Sequence, residues 1–296
     1  MELIFLCTSG MQPTIERNLQ STLIIDKNET IMIDCGEGTQ RQMKIANLKP
    51  TKLTRILITH NHADHILGLG GLIRNLSANQ YSQELNIYGP KGIKEIYKNL
   101  VTNIPGEINI KVNINEINEG LVFESKHIKV NALKLKHSIN CFGYSIQEKD
   151  RLKINTEYLE KFGLKQHTIL GELQKGKDIS WKGKKITIEK ATKKIKGKKI
   201  TLILDTIYCN NCIKLAKDSD ILIAESTFSS KDKEVAKKHN HLTSEDAALI
   251  AKKSKSKKLI LTHFSQRYKN TQELEKEAKK IFKNILCAKD FMKITL

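Results

Sequence analysis

No apolar run in this chain approaches the length of about 18 residues that a membrane-crossing helix needs, so a helical membrane protein is excluded. No export leader is expected either. The opening MELIFLCTSG carries an acid at position 2 and too short an apolar stretch, so it is expected to be the first strand. Six cysteines, at 7, 35, 141, 209, 212 and 287, are thinly spread. Only Cys209 and Cys212 make a C-x-x-C, and no second pair completes a four-cysteine metal site. Reduced thiols in a cytoplasm are the simplest account, and cytoplasmic location is the expectation. Tryptophan occurs once, at Trp181. Acidic residues are short as well: 32 Asp and Glu stand against 51 Lys and Arg, a net charge of +19. A surface so basic attracts polyanions, nucleic acid above all.

What is present is a chain of 296 residues, 39% hydrophobic and 28% charged, long enough to bury a substantial core as one large domain or two. It is organised around Leu53 to Gly71, LTRILITHNHADHILGLGG. There His60, His62, Asp64 and His65 form H-x-H-x-D-H directly after an apolar run that reads as a buried strand. Buried imidazoles and carboxylates each require a partner, and core packing cannot supply four within six positions. A metal ion can. Nitrogen and oxygen donors without thiolate suit zinc, or failing that iron or manganese. His60 and His62 can reach one ion, leaving Asp64 and His65 for a second.

Other chemistry-bearing residues recur at strand ends. Residues 2–6 and 22–34 read as strands, and the latter ends at Asp34, placed either to cap the next helix or to orient a ligating histidine. Helices are expected at 66–79, 92–102, 211–218, 244–254 and 271–284, the last as an amphipathic cover. Strands are expected at 85–88, across 108–136, and at 200–205, 220–224 and 259–262. These deliver His137, Asp205 and His263. Residues 149–199 differ: crowded with Lys and Gly, they read as a protruding insertion with a helix near 155–162 and a hairpin over 164–190. A shared site at one edge of a layered sheet accounts for this placement.

The residues H-x-H-x-D-H, His137, Asp205 and His263 resemble the metallo-β-lactamase superfamily. More narrowly, the chain is similar to the short form of the ribonuclease Z family, endonucleases that remove 3′ trailers from precursor tRNA. The resemblance runs to about Tyr268. It rests on Pro13 to Asn18, Asp34 to Arg41, Ala224-Glu225-Ser226-Thr227, His241-Leu242-Thr243 and His263-Phe264-Ser265-Gln266-Arg267-Tyr268, besides the metal loop. It implies an α/β (α+β) fold, a four-layer αββα sandwich forming a single domain over 1–296 with a flexible arm at 149–199. His60, His62 and His137 would hold one zinc, Asp64, His65 and His263 the other, with Asp205 bridging; manganese is the alternative metal. Asp64 would take a proton from water and His241, oriented by Glu225, would act as general acid, with Asp34 behind a ligating histidine. The arm, through Lys165, Lys175 and Lys177, would grip the tRNA, and Arg17 and Asn18 would line the acceptor groove. Because the family's arm serves the partner subunit's tRNA, a homodimer is implied.

The sequence departs from the family pattern at Cys7, Ile15, His167, Thr168, Glu172, Ile207, Tyr208 and Ala224. None of these is a proposed metal ligand, so the departures bear on substrate grip and trailer preference. Two other functions fit the same scaffold: a hydrolase of small esters, thioesters or lactones, and a nucleic-acid-binding protein with a decayed site. The basic insertion speaks against the first and the complete ligand set against the second. His127, His167 and His239 receive no role, and Trp181 is placed either on a base or in the insertion's own packing.

Overall fold

The computed structural model describes all residues from Met1 to Leu296. Two seven-stranded sheets pack face to face. In the first, the strands run in the order Lys293–Thr295, Glu2–Cys7, Ser21–Asp26, Glu29–Ile33, Arg55–Leu57, Glu84–Gly89 and Lys111–Glu116. Its pairs are antiparallel up to Glu29–Ile33 and parallel beyond. The second runs Ile285–Cys287, Leu259–Thr262, Ile221–Glu225, Lys199–Ile203, Cys141–Glu148, Ile128–Leu135 and Gly120–Glu124. There the first four strands are parallel and the rest antiparallel.

Alternation of side chains sorts the apolar residues into three layers of core. Leu3, Phe5, Ile24, Ile31 and Ile33 meet Ile200, Leu202, Ile221, Ile223 and Ile260 between the sheets. Outside the first sheet, the helix Gly68–Ala78 buries Leu69, Leu72, Ile73 and Leu76, a helical i, i+3, i+4, i+7 stripe. Outside the second, Ser244–Lys253 packs Ala247, Ala248, Ile250 and Ala251. Its start is fixed by a capping box in which Thr243 and Asp246 exchange hydrogen bonds. The order of layers is helix, sheet, sheet, helix.

The two sheets are tied together at the strand that leads to His60. The buried Tyr144 hydroxyl donates to Ile58 O at 2.6 Å, and Phe142 N donates to Thr59 O at 2.9 Å. Every one of the parallel strands Glu29–Ile33, Arg55–Leu57, Lys199–Ile203, Ile221–Glu225 and Leu259–Thr262 ends at the same edge, where loops gather.

Between the paired strands Cys141–Glu148 and Lys199–Ile203, residues 151–195 build a small unit of their own. The strands Arg151–Ile154 and Thr192–Ile195 form its stem. Leu159, Leu164, Leu173, Ile179, Ile186 and Ala191 fill its interior. The hairpin expected over 164–190 is confined to Ile179–Trp181 and Lys184–Ile186, because a short helix, Leu170–Gln174, occupies the first half and turns Leu173 inward. The eight-residue strand Cys141–Glu148 runs away from the loop edge, so the unit leaves the body roughly 25 Å from it.

Candidate metal centre

At that edge three residues turn their chains through left-handed backbone: Asp34 at φ 58°, Asp205 at φ 48° and His263 at φ 58°. Each directly follows, or lies within two residues of, the end of a parallel strand. A side chain carrying a Cβ adopts this conformation at a cost of order 1 kcal/mol or more, and here all three are aimed into one site. Gly10 completes the packing, since a Cβ there would sit 2.4 Å from the His263 ring.

Two overlapping groups of donor atoms result. One joins His60, His62, His137 and Asp205, and the other joins Asp64, His65, Asp205 and His263. His62 Nδ1 stands 3.0 Å from His60 Nε2 and 3.2 Å from His137 Nε2. In the second group His65 Nε2 is 3.2 Å from His263 Nε2 and 3.4 Å from an Asp64 oxygen. Asp205 lies 3.5 Å from both His60 and His65 and 3.3 Å from His263. Donors placed about 2.0–2.1 Å from a tetrahedral zinc stand about 3.3 Å apart, so the spacings fit.

The outer ring nitrogens decide what the inner ones do. His65 Nδ1 donates to Asp34 Oδ2 at 2.7 Å. That oxygen also accepts from Thr59 Oγ1, whose lone pair then accepts from His60 Nδ1 at 3.0 Å. His137 Nδ1 donates to Asn240 O at 3.0 Å, and His263 Nδ1 donates to Thr227 Oγ1 at 2.9 Å. With their protons placed outward, the four Nε2 atoms face inward as acceptors, among carboxylate oxygens. Acceptors crowded on acceptors repel unless a cation lies between them. Asp205 Oδ1 makes the same point, since it is buried and has no hydrogen-bond partner. The residues fit bound metal.

The acids are held ionised by positive charge: burial alone would raise the Asp205 carboxyl, but the His263, His65 and His60 imidazoles, when protonated, hold it well below the usual range. Asp64 is lowered in the same way, against its own burial, by His65 and His263. A third grouping adds Glu225 and His241 to Asp205 and His263. It is not a third ion seat, because the Glu225 oxygens are already taken: they accept from Thr206 N at 2.6 Å, from His241 Nδ1 at 2.9 Å and from Thr227 Oγ1. Burial would lower His241, but Glu225 and Asp205 outweigh it and raise the imidazole to about 9. His241 lines an open cleft of about 520 Å³ in front of the donors, with Met11, Asn240, Gln266 and Arg267.

Ribonuclease Z of Picosynechococcus sp. is 38% identical to this chain, covering 99% of it and 95% of that protein. The enzyme of the same name from Archaeoglobus fulgidus is 37% identical, with 99% and 97% covered. The chain belongs to the ribonuclease Z family. Among solved structures, the short form of human tRNase Z superposes with a TM-score of 0.72 at 27% identity, covering 100% of this chain and 99% of that one. The metallo-β-lactamase fold protein YhfI of Bacillus subtilis superposes at 0.73 with 18% identity, covering 99% and 98%. The four-layer sandwich is thus the metallo-β-lactamase fold. Residues 1–170 also belong to the family described as Anti-Pycsar protein Apyc1, a span that holds His60 to His137 and stops before Asp205, His241 and His263.

Against this ribonuclease Z background, the seven expected ligands and His241 converge on one site. Asp34 does not cap the following helix, whose N-cap is Gly38; it binds Thr59 and His65. Arg17 is a correction. Only 8% exposed, its guanidinium donates to Ser265 O and Tyr268 O, so it clamps two loops together, and what remains of it lines a small pocket with Asn18 and Arg41, apart from the cleft in front of the donors. Asn18 likewise spends its amide on Glu37 O. In the arm, Lys175 and Lys177 both reach Glu172, at 2.7 and 3.3 Å, and Lys165 lies 4.0 Å from Glu160. Trp181 donates to Phe162 O and stands edge-on to His167, so it belongs to the arm's own packing. His127 bonds Lys27 and His239 lines the cleft.

Several contributors went unnoticed in the sequence. Met11 N donates to Asp64 Oδ2 at 2.7 Å. Thr59, Thr206, Thr227 and the carbonyl of Asn240 hold the ligands or Glu225 from outside. Asp290, near the C-terminus, pins both ends of the loop bearing Met11 through Thr8 Oγ1 and Asn18 N, at 2.7 and 2.8 Å. Thr227 stood in a quoted motif without a role, and Thr59 and Thr206 sit beside recognised positions, a signal that could have found them; a backbone amide and a remote aspartate leave none.

Proposed function

We propose that this chain is a zinc-dependent endoribonuclease that removes the 3′ trailer from precursor tRNA, leaving a 3′ hydroxyl on the tRNA and a 5′ phosphate on the trailer. The observation that carries the reading is the pair of donor groups sharing Asp205, whose buried Oδ1 has no other partner, in a chain aligned along its length with proteins named ribonuclease Z. His60, His62 and His137 would hold one ion and Asp64, His65 and His263 the other, with Asp205 between them. Two bound cations supply a water that ionises near neutral pH and neutralise charge on a phosphodiester.

The chain's own residues do the rest. Asp64, oriented by Met11 N, takes up the proton that the attacking water loses. His241, carrying a proton and braced by Glu225, lines the cleft and gives that proton to the departing 3′ oxygen. The arm holds the tRNA body away from the cut through phosphate contacts, which position without reading sequence. Because it leaves the body far from its own centre, it serves the tRNA held by a second copy in a homodimer. The enzyme works in the cytoplasm.

The test is cleavage of an end-labelled precursor tRNA by the native chain, by His62→Ala, and by a chain in which a short turn joins Glu148 to Lys199. The native chain is expected to cut at the trailer junction and His62→Ala to be inactive. The armless chain should need far more tRNA while hydrolysing a nitrophenyl phosphodiester at the native rate. Turnover of small esters or thioesters with an intact precursor would move the function to the small-molecule hydrolases.

A further inference from the structure

The C-x-x-C pair takes no part in the centre described above, yet it sits on the segment that carries Asp205. Cys209 immediately precedes the helix Asn210–Ala216, and Cys212 lies in its first turn. Their sulfurs are 3.4 Å apart and share a hydrogen bond. Cys209 keeps 8% of its surface exposed and Cys212 none. The two are also chemically unlike. The hydrogen bond from Cys212, opposed by burial and helped by the N–H groups of Cys212 and Asn211, lowers Cys209 to about 5, while Cys212 is pushed up. Burial raises Cys7, Cys35, Cys141 and Cys287. Among the six cysteines, only Cys209 has its thiol lowered, and it stands against a second thiol.

The segment between this pair and Asp205 is short and anchored to the centre. Thr206 N donates to Glu225, Lys136 N donates to Thr206 Oγ1 at 3.0 Å, and Ile207 N donates to Lys136 O at 2.9 Å. Lys136 directly precedes His137. A disulfide needs its sulfurs about 2.05 Å apart, so bond formation must draw Cys209 and the helix start together by roughly an ångström. A shift of that size at reacting groups costs up to about 10²-fold in rate.

We propose that Cys209 and Cys212 are a redox-active dithiol, oxidised by low-molecular-weight disulfides such as that of glutathione, and that the disulfide slows the chemistry at Asp205. The Cys209 thiolate attacks one sulfur of the small disulfide and expels a thiolate, which takes up a proton. Cys212, losing its own proton, then attacks Cys209 in the mixed disulfide and expels the second thiol. The protein loses two hydrogens and two electrons, and the small disulfide becomes two thiols.

The effect on rate rests on the proposed cleavage reaction, but the dithiol itself is read by mass. The native holoenzyme, equilibrated with glutathione buffers of rising oxidised fraction, is expected to lose two hydrogens per chain in one two-electron transition. Precursor cleavage should fall about tenfold or more along the same curve and return with dithiothreitol. Cys212→Ser and Cys209→Ser, either of which suffices if the other folds poorly, should cleave like the reduced native chain and show no such response. A native chain that loses no hydrogens, stops at a stable glutathione adduct, or cleaves equally well once oxidised overturns the proposal. So does a zinc ion released by either substitution. If the disulfide forms but no precursor is cut in any state, the cleavage reading fails instead, and the nitrophenyl phosphodiester supplies the rate.

Discussion

Around Asp205 the polar atoms are ordered in layers: the inner nitrogens face one another, Asp34, Thr59, Thr227 and Asn240 hold the outer ones, and Glu225 holds His241 and Thr206. The arm is organised the other way. Its interior is a small core of six buried apolar side chains, flanked by half-buried ones such as Phe162 and Trp181, and its charges pair with one another at the surface, Lys175 and Lys177 with Glu172, Lys185 with Asp178 and Lys194 with Asp150. Exposed pairs of this kind contribute little to stability. The centre therefore depends on individual atoms, and the arm on a folded shape that carries exchangeable charge.

If that contrast is right, single-atom changes should be severe in one region and mild in the other. Asp205→Ala removes the oxygens common to both donor groups; several kcal/mol of transition-state stabilisation is lost, so precursor cleavage should fall by about 10³-fold or more. Metal analysis should show fewer than two ions per chain. Asp34→Asn leaves every ligand in place but weakens the hold on His65, and a loss of about 10–100-fold in zinc affinity or activity is expected. Leu173→Ala empties the centre of the arm's small core. The cost of about 2–5 kcal/mol falls on a unit with a core of its own, separate from that of the body, so hydrogen exchange should rise across 151–195 while the body keeps its protection. The substrate concentration needed for cleavage should rise, with no change on a nitrophenyl phosphodiester.

The smallest effect expected is on acid stability. Glu277, buried against the helix Ser244–Lys253, has its carboxyl lowered from 4.5: burial opposes, but Ser244 and Ser230 donate to it and win. A depressed carboxyl stabilises the fold above its unfolded pKa, and that stability is lost as pH falls through the folded one. Glu277→Gln should therefore flatten the loss of stability below about pH 4.5. Glu172→Gln, in an exposed pair of the arm, should leave the acid limb unchanged. Equal effects would remove the contrast.

The centre was legible because its donors follow strand ends at short, unusual spacings, and because the strands are strongly apolar. His60, His62, Asp64 and His65 declare themselves within six residues. His137, Asp205 and His263 are single polar residues after apolar runs; their common placement at strand ends pointed to one shared site, and the resemblance was needed to divide them between two ions. What joins them is backbone that no spacing encodes, the left-handed turns at Asp34, Asp205 and His263. The arm was legible only as a change of composition. Its short helices have few turns and weak periodicity, so a hairpin was expected where Leu170–Gln174 is helical. Arg17 misled for a different reason: a basic residue in a loop says nothing about whether its donors are already taken by Ser265 and Tyr268. The strands Ile285–Cys287 and Lys293–Thr295, each three residues long, were also overlooked because they carry too little pattern to read.

The most direct test of the proposed two-ion centre is a titration of zinc into chelator-stripped protein, following precursor cleavage and bound metal together. Cleavage that stays low after the first equivalent and reaches its maximum with the second, with fewer than two ions retained in Asp205→Ala, is the predicted result. Full activity at one equivalent, or in protein from which no metal can be recovered, would contradict the shared role of Asp205.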